Sequence, residues 1–424
     1  MDSDSNDDAT DATDPRRQRG LALARGKGKK IRRVAGDTWL VPSQTGASGG
    51  YVVDVVQQTC SCPDHEDRQV RCKHLWAVAY VRREVTAPDG TTTVTEAVLT
   101  TEPRPTYSQD WPAYTRAQCE EQDVARVLLR GLCDGIVQPA QAMGRKRLPL
   151  ADVVYGATMK VYSTMSGRRA TSDLRACAAQ GLMAKAPNHN SLFRYLEQPE
   201  LTPLLTTLVG EAALPLRAVE SAFATDSTGF STCTYGRWYD EKYGQEKRVQ
   251  RWVKAHAQVG TATHVIAAVA ATESDVGDAP MLAPLLADSV RRGFVVKELS
   301  ADKAYLSNDN LVAVEAIGAV PYVPFKSNSR GTGGSDAWRR LWHLYSAQSD
   351  EFLAHYHKRS NVESAFSMVK RKFGASVRSK LPAAQRNEVL LKCLCHNLSV
   401  LVHSIRELGV APKFRPLAEA PGAR

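Results

Sequence analysis

The chain is 424 residues long, 43% hydrophobic and 24% charged, which fits two or three globular domains and excludes wholesale disorder, a collagen-like repeat and a coiled-coil rod. Lys plus Arg number 55 against 45 Asp plus Glu, a net charge of +10, and that balance favours an anionic partner, nucleic acid first. No run of 18 apolar residues occurs, so no transmembrane helix and no membrane partner are expected.

The first fourteen residues, MDSDSNDDATDATD, hold six Asp and no apolar stretch, unlike a secretory signal. PRRQRGLALARGKGKKIRR follows, and such blocks of like charge predict a disordered charged tail over 1–36. DTWLVPS and GGYVVDVVQQ read as strands and LWAVAYVRRE as a short helix, a small ββα module over 37–95. Residues 96–115, rich in Pro and Thr, read as a linker. Residues 116–215 read as helical. Leu150, Val153, Val154, Ala157 and Val161 share one helix face, and TSDLRACAAQ and NSLFRYLEQ follow, the latter with Asn190 as N-cap. Arg168, Arg169 and Arg194 near these helices leave a DNA-reading helix pair and a plain bundle both open. Over 216–408 the texture is mixed. AVESAFATDS, RVQRWVKAHAQVG and THVIAAVAATES are strands, DAPMLAPLLADSVRR a helix, FVVKELSADKAY a strand, NDNLVAVEAIG a helix and AVPYVPFK a strand, with helices beyond. That order predicts a mixed sheet covered by helices, so the fold class is multidomain α/β. Residues 409–424 read as a tail.

Nine cysteines are an odd number, and a chain this long can build a core without disulfides. Reduced thiols in a cytoplasmic compartment are expected, which makes a tight Cys/His cluster a metal candidate. Cys60-Ser-Cys62 is followed, after nine residues, by Cys72-Lys-His74. Structural zinc takes four sulfur or imidazole ligands in a tetrahedron. Alternate strand residues point to one side, so Cys60 and Cys62 can grip one ion, and Cys72 and His74 can close the site. His65 is a rival fourth ligand. A closed site has no position for a reacting water, so this zinc is structural. The stretch resembles the SWIM zinc finger, whose pattern is Cys-x-Cys, a spacer, then Cys-x-His, with YVVDVV and KHLWAVAY on either side.

Asp226, in SAFATDSTGF, and Asp302, in FVVKELSADKAY, each end an apolar strand. Such carboxylates repel one another unless a cation lies between them. Two magnesium or manganese ions held by oxygen ligands would fill that role and can clamp a phosphodiester. Either Asp alone could equally be a turn cap. Tyr356, Arg359, Glu363 and Lys370 fall at offsets of 3, 7 and 14, within a stripe of roughly 60° on one helix. Such a face can hold metal through Glu363 and phosphates through the cations. A competing reading makes Ser360 and Glu363 a capping box that starts the helix. It leaves the surrounding charge unexplained, for residues 358–380 hold seven Lys/Arg and one acid.

Over 216 to about 405 the chain resembles the DDE transposases of bacterial and archaeal insertion sequences that carry a Tyr-Arg-Glu-Lys signature. Tyr356, Arg359, Glu363 and Lys370 have that signature's spacing, and ATDSTGF and SADKAYLS match the two aspartate motifs in kind and order. The resemblance implies a ribonuclease H-like catalytic core over 216–408, Asp226 and Asp302 on adjacent strands, and Glu363 on a following helix. The three acids would ligate two Mg²⁺ or Mn²⁺ ions, and Tyr356, Arg359 and Lys370 would hold DNA. The implied activity is cleavage at the ends of the chain's own element, then joining of the 3′-hydroxyl to target DNA. The partners would be double-stranded DNA and further copies, as a homodimer or higher oligomer, in a prokaryotic cytoplasm close to the nucleoid. The helical 116–215 would be a DNA-binding domain. A domesticated DNA-binding protein of the same fold and a ribonuclease H-like nuclease are the alternatives.

Three other stretches tempt a functional reading. Tyr243 and Trp252 sit among cations, as in single-strand binding sites, yet Trp252 in a strand reads as core. Cys393, Cys395 and His396 lie in an apolar helix with no fourth ligand and read as core. GTGGSD at 331–336 lacks the lysine of a phosphate loop.

Overall fold

The computed structural model describes residues 14–27, 30–43, 50–86, 92–96, 110–141, 144, 146–232, 242, 252–326, 328–332 and 334–414. The chain divides into two compact units, Met1–Ser108 and Gln109–Arg424. Tyr243 and residues 1–13 and 97–109 lie outside the described residues.

In the first unit, helix α1 (Pro15–Lys27) precedes strands β1 (Arg32–Ala35), β2 (Thr38–Pro42), β3 (Gly50–Asp54) and β4 (Thr59–Cys60). These pair antiparallel in chain order. Helices α2 (Pro63–Arg68) and α3 (Lys73–Val81) follow, then a hairpin of β5 (Arg82–Thr86) and β6 (Thr92–Glu96). Trp39, Val41, Val53, Leu75 and Val78 fill the core, and Leu23 and Ala24 of α1 join it. That departs from the expected tail over 1–36. Two cations of α1 have partners across the unit: Arg16 pairs with Asp64 at 3.0 Å and Arg17 bonds the Tyr80 hydroxyl at 3.0 Å. Gly20 lets α1 approach α3, since a Cβ there would stand 2.4 Å from Trp76 Cβ.

The second unit opens with five helices: α4 (Trp111–Asp134), α5 (Leu150–Tyr162), α6 (Gly167–Ala179), α7 (His189–Leu196) and α8 (Leu201–Ala213). Helix α4 starts before the expected residue 116, because Asp110 caps it by accepting from the Ala113 amide at 3.0 Å. The N-cap of α7 is Asn188, which accepts from the Asn190 amide at 2.9 Å, and not Asn190 as expected.

Strands β7 (Ala222–Ser231), β8 (Trp252–Gly260) and β9 (Ile266–Thr272) then form an antiparallel meander. Helix α9 (Ala279–Arg291), β10 (Glu298–Ala301), α10 (Asn308–Ala316) and β11 (Val320–Tyr322) complete a five-stranded mixed sheet of order β11-β10-β7-β8-β9. In it β10 and β11 run parallel to β7. Helices α11 (Asp336–Ala347), α12 (Ser349–Tyr356), α13 (Ser360–Phe373) and α14 (Pro382–Glu407) follow.

Side chains alternate along β7, so its neighbours belong to different cores. Ala224 and Phe230 pack with α4–α8, α13 and α14. Phe223 packs with α9, α10 and β10. Asp226 shares the parity of Ala224 and therefore lies on the α13 side.

Among the described residues α14 is the one helix long and apolar enough to cross a membrane, but 83% of its apolar window is buried inside the fold. Cys393, Cys395 and His396 are buried in it, as core. Asn397 ties this helix to the sheet. Its amide donates to Val209 O and Ile266 O, and its Oδ1 accepts from Ile266 N, all at 2.9 Å. Asn397→Leu would leave three buried backbone groups without these bonds, so a loss of about 3 kcal/mol is expected by denaturant titration.

Candidate active site and metal centre

Cys60 closes β4, Cys62 is the N-cap of α2, and Cys72 and His74 lie at the start of α3. All four are buried, and their ligand atoms lie within 4.8 Å of one another. His74 Nδ1 is 3.8 Å from Cys60 Sγ and 3.9 Å from Cys72 Sγ. Metal bonds of about 2.3 Å to sulfur and 2.0 Å to nitrogen give a tetrahedral S–N edge of about 3.5 Å, so the cluster fits zinc with little adjustment. Cys60 and Cys72 share a hydrogen bond that lowers the Cys72 thiol and raises that of Cys60. The cluster gathers His74 and not His65, whose Nδ1 faces Val70 O at 2.7 Å. His65→Asn is therefore expected to leave one zinc per chain by elemental analysis, and His74→Asn to lose most of it.

The acids lie in the second unit. In the parallel β7–β10 pair Ala301 is opposite Thr225, so Asp226 and Asp302 are the next residues on neighbouring strands. Asp302 also caps a 3-10 turn, accepting from the Ala304 amide at 2.7 Å. Asp226 accepts from Ser227 N at 2.8 Å and from Arg359 Nη1 at 2.7 Å. The other arm of Arg359 bonds the Glu363 carboxylate, so one guanidinium bridges two of the three acids. Burial pushes the Asp226 carboxyl above its usual range. The Ser227 amide and Arg359 oppose this, and the charges of Asp302 and Glu363 add to it. Among the described residues the zinc cluster is the only close gathering of potential ligands. Asp226 and Glu363 line a cleft together with Thr228, Ser367, Lys370 and Arg371, and Asp302 follows the residue paired with Thr225 on the neighbouring strand.

Arg359 and Ser360 both have helical backbones, and Ser360 Oγ donates to His357 O at 2.9 Å. No capping box forms. Helix α12, the 357–359 turn and α13 run on, which keeps Arg359 one turn before Glu363. Lys370 Nζ donates to Thr228 Oγ1 at 2.6 Å and lies 5.5 Å from the Phe230 ring centre. Tyr356 stacks on Phe352 with centroids 5.7 Å apart.

Two features differ from expectation or escaped it. Trp252 is 43% exposed and not core, because it opens β8 and lies over Gly229, where a Cβ would be 2.9 Å from its Cδ1. On the opposite side of β7 from Asp226, Asp278 pairs with Lys254 at 2.8 Å and His256 at 3.4 Å. Burial opposes its charge, yet hydrogen bonds from Lys254 and Ser227 hold its carboxyl below the usual range. The sequence signal was present, since Lys254 and His256 alternate with buried Val253, Ala255 and Ala257.

A buried Cys3His cluster in one unit and an acid-and-cation cleft on a mixed sheet in the other give the chain two candidate sites. Residues 217–398 match the family model of the transposase DDE domain, and residues 49–83 match that of the SWIM zinc finger. The chain carries a transposase DDE domain behind a SWIM zinc finger, and the Cys3His cluster of Cys60, Cys62, Cys72 and His74 supports structural zinc. A transposase domain implies DNA binding. No solved structure matches the chain.

Proposed function

We propose that the protein is a DNA transposase that cuts phosphodiester bonds at the ends of its own element and joins the freed 3′-hydroxyl to target DNA. The observation that carries this reading is the juxtaposition of Asp226 and Asp302 on neighbouring parallel strands, with Glu363 linked to Asp226 through Arg359. The sheet order, three antiparallel strands flanked by two parallel ones, supports a ribonuclease H-like core over 216–408. The exposed arginines of α6 and α7 support a DNA-binding role for 116–215.

The donor set fits hard divalent cations. It offers carboxylate oxygens only, and a guanidinium already bridges two of the acids. Asp226, Asp302 and Glu363 would hold two Mg²⁺ or Mn²⁺ ions, which supply activation of the attacking oxygen and stabilisation of the leaving one. Arg359, which bridges Asp226 and Glu363, would give up Asp226 to a bound metal and could then offer its charge to the DNA backbone. Lys370 and Arg371 draw phosphates into the cleft, and Tyr356 braces the turn that carries Arg359. The protein acts in the cytoplasm as a dimer or higher oligomer on double-stranded DNA.

The test is a duplex carrying the inverted repeats that flank the protein's own gene, incubated with protein and manganese. Nicks that leave a 3′-hydroxyl at the element end, followed by joined products, are expected. Bound but uncut DNA would indicate a domesticated DNA-binding protein, and cut ends that never join would indicate a nuclease.

A further inference from the structure

Two buried lysines, Lys160 and Lys392, line one pocket and are treated very differently by the fold. Lys392 Nζ donates to Phe373 O at 2.9 Å and to Gly374 O and Ser376 O at 2.7 Å. Lys160, on α5, is only 7% exposed, and among the described residues its ammonium has no hydrogen-bond or ion-pair partner. The nearest acid to influence it is Glu388. That carboxylate is taken up by the Arg378 amide at 3.0 Å, the Ser379 amide at 2.9 Å and the Ser379 hydroxyl at 2.7 Å. The ammonium is not among the fully buried atoms that lack a partner, so the little exposure Lys160 keeps includes its charge, which reaches solvent at a cavity.

Lys160 lines this cavity of roughly 350 Å³ together with Ser166, Gly167, Arg378 and Lys380, and Phe193, Leu196 and Ala384 form its apolar wall. Ser166 and Gly167 start α6, a 13-residue helix in which Ser166 Oγ accepts from the Arg169 amide at 3.5 Å, so the positive dipole end of that helix lies at the cavity. The side chains of Arg378 and Lys380 have no acidic partner among the described residues. Glu197 also lines the cavity, which leaves three cations against one uncommitted acid. We propose that this cavity binds a phosphate of the DNA backbone, with Lys160 at its floor and Arg378 and Lys380 at its rim.

This assignment rests on the transposase reading and extends it. Ser376 is bridged to Ser231, which lies five residues past Asp226 on β7, about 16 Å along the strand. Lys370 and Arg371 line the acid cleft on the way. A DNA strand leaving the carboxylates along α13 therefore meets the cavity within a few nucleotides.

The test compares full-length wild type with Lys160→Met and Arg378→Gln, measuring end-duplex affinity against salt, and melting with and without inorganic phosphate. Lys160→Met is expected to bind DNA about tenfold more weakly, with a salt slope shallower by about one. Its melting temperature should hold, since the ammonium has no hydrogen-bond or ion-pair partner to lose among the described residues. Arg378→Gln is expected to shift affinity and slope the same way. Unchanged affinity and slope in both variants would overturn the site while leaving the transposase reading intact. So would a fall in melting temperature for Lys160→Met alongside unaltered binding by Arg378→Gln, which would make Lys160 structural. A phosphate-induced melting shift lost in Lys160→Met, with DNA affinity unaltered, would reassign the cavity to free phosphate. A wild type that binds no duplex would instead sink the transposase reading, and this site with it.

Discussion

Asp226→Asn is expected to lower cleavage of the element ends by about 10³-fold or more, the scale on which loss of one group that stabilises developing charge acts, while end binding stays near wild type. The variant keeps the shape of the side chain and removes its charge. A gel assay of nicking beside a binding titration separates the two effects, and surviving cleavage would show that Asp226 holds no metal. The same variant has a stability signature. Burial, with Asp302 and Glu363 nearby, raises the Asp226 carboxyl above its unfolded value of 3.8. A folded state that holds this proton more tightly than the unfolded chain loses stability as pH rises from 3.8 through the raised value. At neutral pH the metal-free wild type carries that penalty and Asp226→Asn does not. The variant should therefore melt no lower than wild type at pH 7, with the difference shrinking as pH falls toward 3.8. Manganese should raise the wild-type melting temperature, by binding the folded state alone, and leave the variant's unmoved.

Removing zinc, by chelation or Cys72→Ser, is expected to unfold residues 30–81 and leave the second unit standing. Cys60, Cys62 and Cys72 are themselves members of the first unit's small core, and β4 is only two residues long. A metal that contributes roughly 10–16 kcal/mol to structural sites of this kind leaves little behind when it goes. Limited proteolysis reads the result directly, with rapid cutting within 30–81 and survival of a fragment near 109–424. An unchanged digest of zinc-free protein would mean that the sheet and α1 hold the module without the ion.

Sequence legibility followed the range of the interactions. Cys60, Cys62, Cys72 and His74 could be recognised because their spacing is short and their chemistry specific, and the cluster gathers these four. The strands that carry Asp226 and Asp302 were legible because apolar runs stop at an acid. Helix α1 was hidden by its charge, for only the fold shows that Asp64 and Tyr80 receive Arg16 and Arg17. Trp252 read as core because its exposure depends on its place at the open start of β8. The bridge from Arg359 to Asp226 spans 133 residues. Periodicity could place Arg359 beside Glu363, but not beside a strand. Lys160 looked like an ordinary helix residue, and only the absence of a partner in a buried site singles it out.

The central claim is that Asp226, Asp302 and Glu363 jointly receive divalent cations, and anomalous diffraction from manganese-soaked crystals tests it most directly. At least one manganese ion in contact with both Asp226 and Asp302, with Arg359 withdrawn from Asp226, is the predicted result. Manganese bound elsewhere, with Arg359 still bridging Asp226 and Glu363, would contradict it.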